Sequence, residues 1–368
     1  MPSTYSTFMR SKNSNFDQFV DLFHSINCKE TRKVHNKFGD MSLLLASTVG
    51  SLGVAVGSVA ILEPDDRISL RRGACLSALG FIFFLSLFDF LNHMALRTRT
   101  GLRLRKKYHL TAPDVLDISN KVVSAVQAAL SCVTGSIVCM WSCTRSFLHT
   151  SHFMSEAYAW FGASYFFYDI WSMYRVHAST SEHKKEQKSD AGHIVNVRLY
   201  LKEQPVIVMH HLFIGSFGFL IIVYLRGGLG DCVFGFVYLM ELSTPFVSMR
   251  GILSRLKMKA TQLYVTNGMI MIGTFFVCRV AMFPYLCYLY SELVDLPYFE
   301  AIMSLPRGCK ISIAILLLPQ MYWFCLMVLG AVKVFRPKTN KQQNGSASSN
   351  SNCGNNKSIR RFNGKLHS

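Results

Sequence analysis

Long apolar runs separated by short polar segments set the pattern of this chain. The runs cover 41–62, 73–96, 115–143, 152–174, 205–225, 229–249, 263–290 and 309–332. Each has about 20 residues or more, the length a helix needs to cross a hydrocarbon layer about 30 Å thick. None alternates residue by residue as a transmembrane β-strand would. The pattern predicts an all-α polytopic transmembrane bundle of seven or eight spans. The run 41–62 is the weakest on helix propensity, being rich in Gly and Ser, although Gly53 and Gly57 form a GxxxG pair suited to close helix contact. Residues 1–40 form a polar, basic N-terminal tail with no apolar start, which does not fit a cleavable signal peptide. Two spans follow in 41–96, then a large block at 115–335. An Asn/Ser/Lys-rich basic tail at 336–368 is predicted to be disordered.

Composition supports this partition. Half of the residues are hydrophobic and only 16% are charged, against about 25% in a soluble domain. The net charge of +18 would suggest nucleic acid in a soluble protein. Here it is explained by basic loops facing anionic headgroups, and no nucleic-acid partner is expected. Between successive runs, from the N-terminus, the segments carry 6, 3, 6, 1, 6, 1, 4, 1 and 8 Lys and Arg residues. High and low values alternate, which places both termini and the loops 97–114, 175–204 and 250–262 in the cytoplasm. Eight crossings keep that alternation in phase. The sequons at Asn344 and Asn356 then never meet the glycosylation machinery. The eleven cysteines include no CxxC and lie mostly inside apolar runs. They read as apolar fillers, with neither a disulfide framework nor a metal site expected.

Candidate chemistry comes from ionisable groups inside the runs, each of them costly in hydrocarbon. His210 and His211 lie near the start of the fifth run and Glu241 in the sixth, beside Ser243, Thr244 and Pro245. Lys121, Asp169 and Asp89 fall at a similar depth, about 8–12 Å from the cytoplasmic side at 1.5 Å per residue. Arg279 is expected deeper. A shared layer implies a polar chamber open toward the cytosolic leaflet. Buried structural pairs such as Lys121 with Asp169 are the simpler reading for part of it. Gly227, Gly228 and Gly230 predict a tight turn, and Pro245, Pro284 and Pro319 predict helix kinks. A one-sided polar layer without an inverted repeat argues against a transporter.

Several stretches together resemble the TLC domain of ceramide synthases and their relatives, over about 115–335. They are YDIWSMY (168–174), MHHLFI (209–214), RGGLGDCVFGFVYLMELSTPFVS (226–248), FVCRVAMFP (276–284) and PQMYWFC (319–325). The resemblance is strongest to the TLC domain-containing protein 3 branch. Ceramide synthases join a fatty acyl-CoA to a sphingoid base, and their motif begins with a His-His pair that His210 and His211 match. Glu241 stands where the first aspartate of that motif falls, Thr244 where the second falls, and Met240 where a histidine falls. The resemblance implies catalytic roles for His210, His211 and Glu241, with the carboxylate orienting an imidazole that deprotonates the amine or carries the acyl group. Asp169, Lys121, Thr244 and Arg279 would contact substrate. It also implies ceramide metabolism in the endoplasmic reticulum, with the Golgi as the alternative. Membrane lipids, a sphingoid base or ceramide, would be the partners, and acyl-CoA a co-substrate near the basic loops Arg97–Lys107 and Arg250–Lys259. No tightly bound cofactor is expected. An N-acyltransferase and a non-catalytic lipid binder or regulator both stay open, as does a homo- or hetero-oligomer.

Overall fold

The structure is a computed structural model that describes residues 39–185 and 193–335. The expected disorder and sequons of the C-terminal tail, and nearly all of the N-terminal tail, lie outside the described residues. The described residues contain helices and turns and no strand. Helix α1 is Gly39–Val59, α2 is Leu70–Arg97, α3 is Arg99–Tyr108 and α4 is Ala112–Ser142. Helix α5 is Phe153–Lys185 and α6 is His193–Glu203. Helix α7, Pro205–Leu225, contains π-helical turns at Ile214–Gly218 and Ile221–Leu225. Helices α8, Asp231–Leu239, and α9, Thr244–Arg255, are joined by a 3₁₀ turn at Met240–Ser243. Helices α10, Gln262–Phe275, and α11, Met282–Val294, are joined by a π turn at Phe276–Ala281. A short α12, Tyr298–Ser304, precedes α13, Arg307–Phe335.

Seven of the long helices are apolar enough to cross a membrane: α1, α2, α4, α7, the α8–α9 rod, the α10–α11 rod and α13. This fits a multi-pass membrane protein. Helix α5 is the eighth expected span and has 33 residues, yet it is more polar than the rest. It sits in the middle of the bundle, packed against α2, α4 and α7. A helix surrounded by others needs no continuous lipid-facing skin. Its buried Ser155, Glu156, Ser164, Asp169 and Ser172 can therefore bond to neighbours.

Contacts along the helices fix their directions. Asn120 meets Asp169 and Gln127 meets Tyr158, so α4 and α5 run antiparallel. Ser131 donates to the Tyr238 carbonyl while Arg255 reaches Asp117, so α4 is also antiparallel to the α8–α9 rod. Helices α2 and α5 run parallel, with Ser77 donating to the Trp160 carbonyl and Phe88 meeting Trp171. In lipid the apolar effect does not draw helices together, so close packing and interhelical hydrogen bonds must hold them. Gly80 shows the packing requirement. A Cβ there would lie 2.3 Å from Ser164 Oγ and 2.4 Å from the Phe161 carbonyl oxygen. Gly80→Ala should force the two helices apart, at a cost of about 1–3 kcal/mol, and lower the thermal midpoint in detergent. Gly268→Ala, at a helical glycine with open space around it, should lack that packing penalty. Equal losses from both would contradict this packing.

The two ends of the bundle differ. One gathers the ends of α2, α4, α9 and α10 with the basic helix α3. Here Arg255 pairs with Asp114 and Asp117 at 3.2 and 2.6 Å, and Lys121 with Asp117 at 2.7 Å. Thr111 and Asp114 form a capping box that starts α4. The expected Lys121–Asp169 pair therefore does not form. Asp117 lies one helical turn below Lys121 on the same face, and the lysine packs flat against Gly251 of α9.

At the other end, Cys143 and Cys232 form a disulfide that ties α4 to α8, with Cα atoms 4.9 Å apart. This corrects the expectation that the cysteines are only fillers. Their separation of 89 residues hid the pairing, which antiparallel packing of α4 on α8 creates. Gly227, Gly228 and Gly230 all take positive φ, as the expected turn requires. Arg226 pairs with Asp231 across that turn, and Asp231 accepts the His152 backbone N–H. His152 Nδ1 accepts the Met154 N–H at 3.1 Å.

Candidate functional site

Two polar clusters lie inside the bundle, and helix α13 joins them. The first centres on Asp169 of α5, which is 4% exposed. Its Oδ1 accepts from Asn120 Nδ2 at 2.9 Å, and its Oδ2 lies 3.1 Å from His211 Nδ1. That oxygen is off the line of a Nδ1–H bond, and Nδ1 has no other partner among the described residues. The contact is thus a close approach of ring nitrogen to carboxylate, not an aligned hydrogen bond. Asn120 is in turn fixed at its other end. Its Oδ1 accepts from Tyr168 OH at 3.1 Å and Ser172 Oγ at 2.6 Å. Asn120, Tyr168 and Ser172 are all buried, so their rotamers are set by packing and by these bonds. His211 leans on Phe166, with ring centroids 5.7 Å apart.

The second cluster centres on Arg279, on the π turn between α10 and α11. Nε donates to the Met240 carbonyl at 3.0 Å and to Ser243 Oγ at 2.9 Å. Nη1 donates to Gln320 Oε1 at 3.3 Å, and Nη2 to Thr244 Oγ1 at 2.8 Å. Nη2 also lies 3.1 Å from Glu241 Oε2, and Thr244 Oγ1 donates to that same oxygen. Local backbone breaks make this possible. Pro245 has no N–H for the Glu241 carbonyl, and the Thr244 N–H closes a tighter bond to Glu241 instead. That releases the Met240 carbonyl, which Arg279 takes. The π turn carrying Arg279 ends three residues before Pro284, and such turns recur at functional sites.

Gln320 bonds Arg279, and three residues further along α13 the Trp323 ring meets His210 edge-on at 5.0 Å. The two clusters are thus about 4.5 Å apart along that helix. His210 and His211 themselves have ring centroids 5.9 Å apart. The structure therefore links His210, His211 and Asp169 to Glu241, Thr244 and Arg279 through α13. It leaves Lys121 outside, at the basic end.

Two expectations change. Glu241 does not orient a histidine, because its charge is taken by Arg279 and Thr244. Asp169 is the carboxylate beside His211. Arg279 does not lie below Glu241. The rod carrying Glu241 continues to Arg255, beyond the apolar run, so Glu241 sits about 21 Å from its basic end, not about 12 Å. Sequence reasoning also missed Asn120 and Gln320. Each is a polar residue inside an apolar run, next to a more conspicuous neighbour, Lys121 or Pro319.

Comparison with known proteins bears on the same residues. A family model described as the TLC domain matches residues 117–329, more than half of the chain. The chain belongs to the TLC domain family. Both clusters lie inside the matched range. The human TLC domain-containing protein 4 is 31% identical over 112 residues, which is 30% of this chain and 43% of that protein. The chain thus spans less than half the length of that relative. The match carries the family, not the protein 3 branch suggested by the ELSTPFVS stretch.

Proposed function

We propose that this TLC domain protein transfers a fatty acyl group from acyl-CoA to the amine of a sphingoid base, forming a ceramide-type amide. The carrying observation is the approach of His211 to the buried Asp169, braced by Asn120. A sphingoid amine is mostly protonated at neutral pH, and a neutral imidazole is the side chain suited to take its proton. With Nδ1 turned toward Asp169, Nε2 of His211 accepts that proton. His211 passes that first proton to water, then takes a second N–H proton as the amine attacks the thioester carbonyl; the carbon–sulfur bond breaks, and the imidazolium gives this second proton to the departing CoA thiolate. The apolar bundle holds the two chains. The positive-inside pattern supports cytosolic termini, so that acyl-CoA arrives at the basic end near Arg250–Lys259. A disulfide at the opposite end supports an oxidising lumen there, as in the endoplasmic reticulum.

A second reading is a lipid binder that performs no chemistry. It is favoured by the Arg279–Glu241 cluster, whose donors and acceptors satisfy one another and leave the acidic half of the motif structural. The two readings separate in one assay. Purified protein is incubated with labelled acyl-CoA and a sphingoid base, and its copurified lipids are read by mass spectrometry. Acyl transfer is the expected result. Copurified sphingolipid with no turnover would establish the binder and overturn the enzyme.

A further inference from the structure

Helix α3 is ten residues long, joins the ends of α2 and α4, and carries five cations and no acid. Thr98 ends α2 and caps α3 by accepting the Gly101 N–H at 3.0 Å. Gly101 is buried, and a Cβ there would meet the Ala95 and Met94 carbonyl oxygens at 2.4 Å. The helix is therefore pressed sideways onto the end of α2. At 100° per residue, Arg99, Arg103, Lys106 and Lys107 share one face, opposite Gly101, Leu104 and Tyr108. Leu102 and Leu104 are each about half exposed, as suits a helix lying in the interface between headgroups and acyl chains.

The bundle's other paired arginines supply the contrast. Arg67, Arg226, Arg255 and Arg279 each meet a carboxylate of this chain. The five cations of α3 meet none among the described residues. Arg105 is half-buried, and its Nε is a buried donor with no partner among the described residues. A guanidinium turned partly inward at headgroup level suits an oxyanion that can accept from it.

We infer that α3 is a binding edge for anionic phospholipid, with lipid phosphates along the face of Arg99, Arg103, Lys106 and Lys107 and Arg105 reaching the same headgroup layer from the side turned toward the bundle. A membrane surface is the one anion source that a helix tied between two spanning rods meets continuously. The N-terminal segment 1–38 is a poorer occupant, since it carries six Lys and Arg against three Asp and Glu.

The test uses the full chain in phosphatidylcholine nanodiscs doped with phosphatidylserine. Bound lipid is counted by native mass spectrometry. The wild type should retain phosphatidylserine over phosphatidylcholine by about tenfold or more, given the attraction expected of several cations at the surface. Replacing the five cations with Gln should bring the ratio near one. Arg250→Gln with Lys259→Gln, at the same end but in another loop, should leave it unchanged. Soluble CoA at millimolar concentration should not compete. An unchanged ratio in the α3 variant would overturn the inference. So would equal loss in the control, displacement by CoA, or a preference that appears only after residues 1–38 are removed.

Discussion

Asp169→Asn is expected to lower acyl transfer by about 10²–10⁴-fold, the range that a positioned general base contributes, with the protein still folded. The substitution keeps the size of the side chain and can keep its bond to Asn120. It removes the charge 3.1 Å from His211 Nδ1. That charge holds the ring with Nδ1 inward and stabilises the imidazolium formed when the amine gives up its proton. Asn120→Ala acts one step further away, freeing Asp169 to turn and leaving Tyr168 and Ser172 without their shared acceptor. A loss of about tenfold is expected from it. Turnover by the two variants, normalised to correctly folded protein on a sizing column, checks both. Full activity in Asp169→Asn would remove the carboxylate from the mechanism.

Arg279→Gln should be the most destabilising polar substitution in the bundle. It leaves half-buried Glu241 without its cation and strips the Met240 carbonyl, Ser243 and Gln320 of their shared donor, a change that costs about 1–3 kcal/mol for each buried group left unpaired. The thermal midpoint in detergent should fall by many degrees. Adding Glu241→Gln should recover part of the loss, because contacting residues couple by about 0.5–3 kcal/mol. Arg279→Lys should not rescue, since one ammonium cannot reach the Met240 carbonyl, Ser243, Thr244 and Gln320 from a single point. These outcomes oppose the role expected from the sequence, in which Arg279 binds substrate. A variant that keeps its stability and loses only lipid binding would restore that role.

Much of this was legible in the chain. Apolar run lengths give most of the spans to within a few residues, since the cost of unbonded backbone in lipid leaves no other local structure for them, but α5 and the α8–α9 rod continue well past their runs to Lys185 and Arg255. The alternation of basic segments matches the two-ended bundle. The histidine pair and the acidic residue of the next span were found because charge inside hydrocarbon is rare. The pairing of these groups was not legible. Depth along a helix says nothing about the direction in which a side chain points, so the sequence assigns Glu241 to the histidines, whereas Asp169 is the carboxylate beside His211. The geometry of Arg279 depends on a π turn and a 3₁₀ turn, where the helical period that carries residue spacing into direction fails. The disulfide depends on which helices are neighbours, and Asn120 was masked by the charge of Lys121 beside it.

The most direct measurement is acyl transfer by purified His211→Ala, set against the wild type in the same membrane, with copurified lipid quantified for each. The wild type should convert sphingoid base to amide. The variant should retain lipid while losing turnover to background. Wild-type amide formation by His211→Ala would contradict the assignment of the base to this histidine.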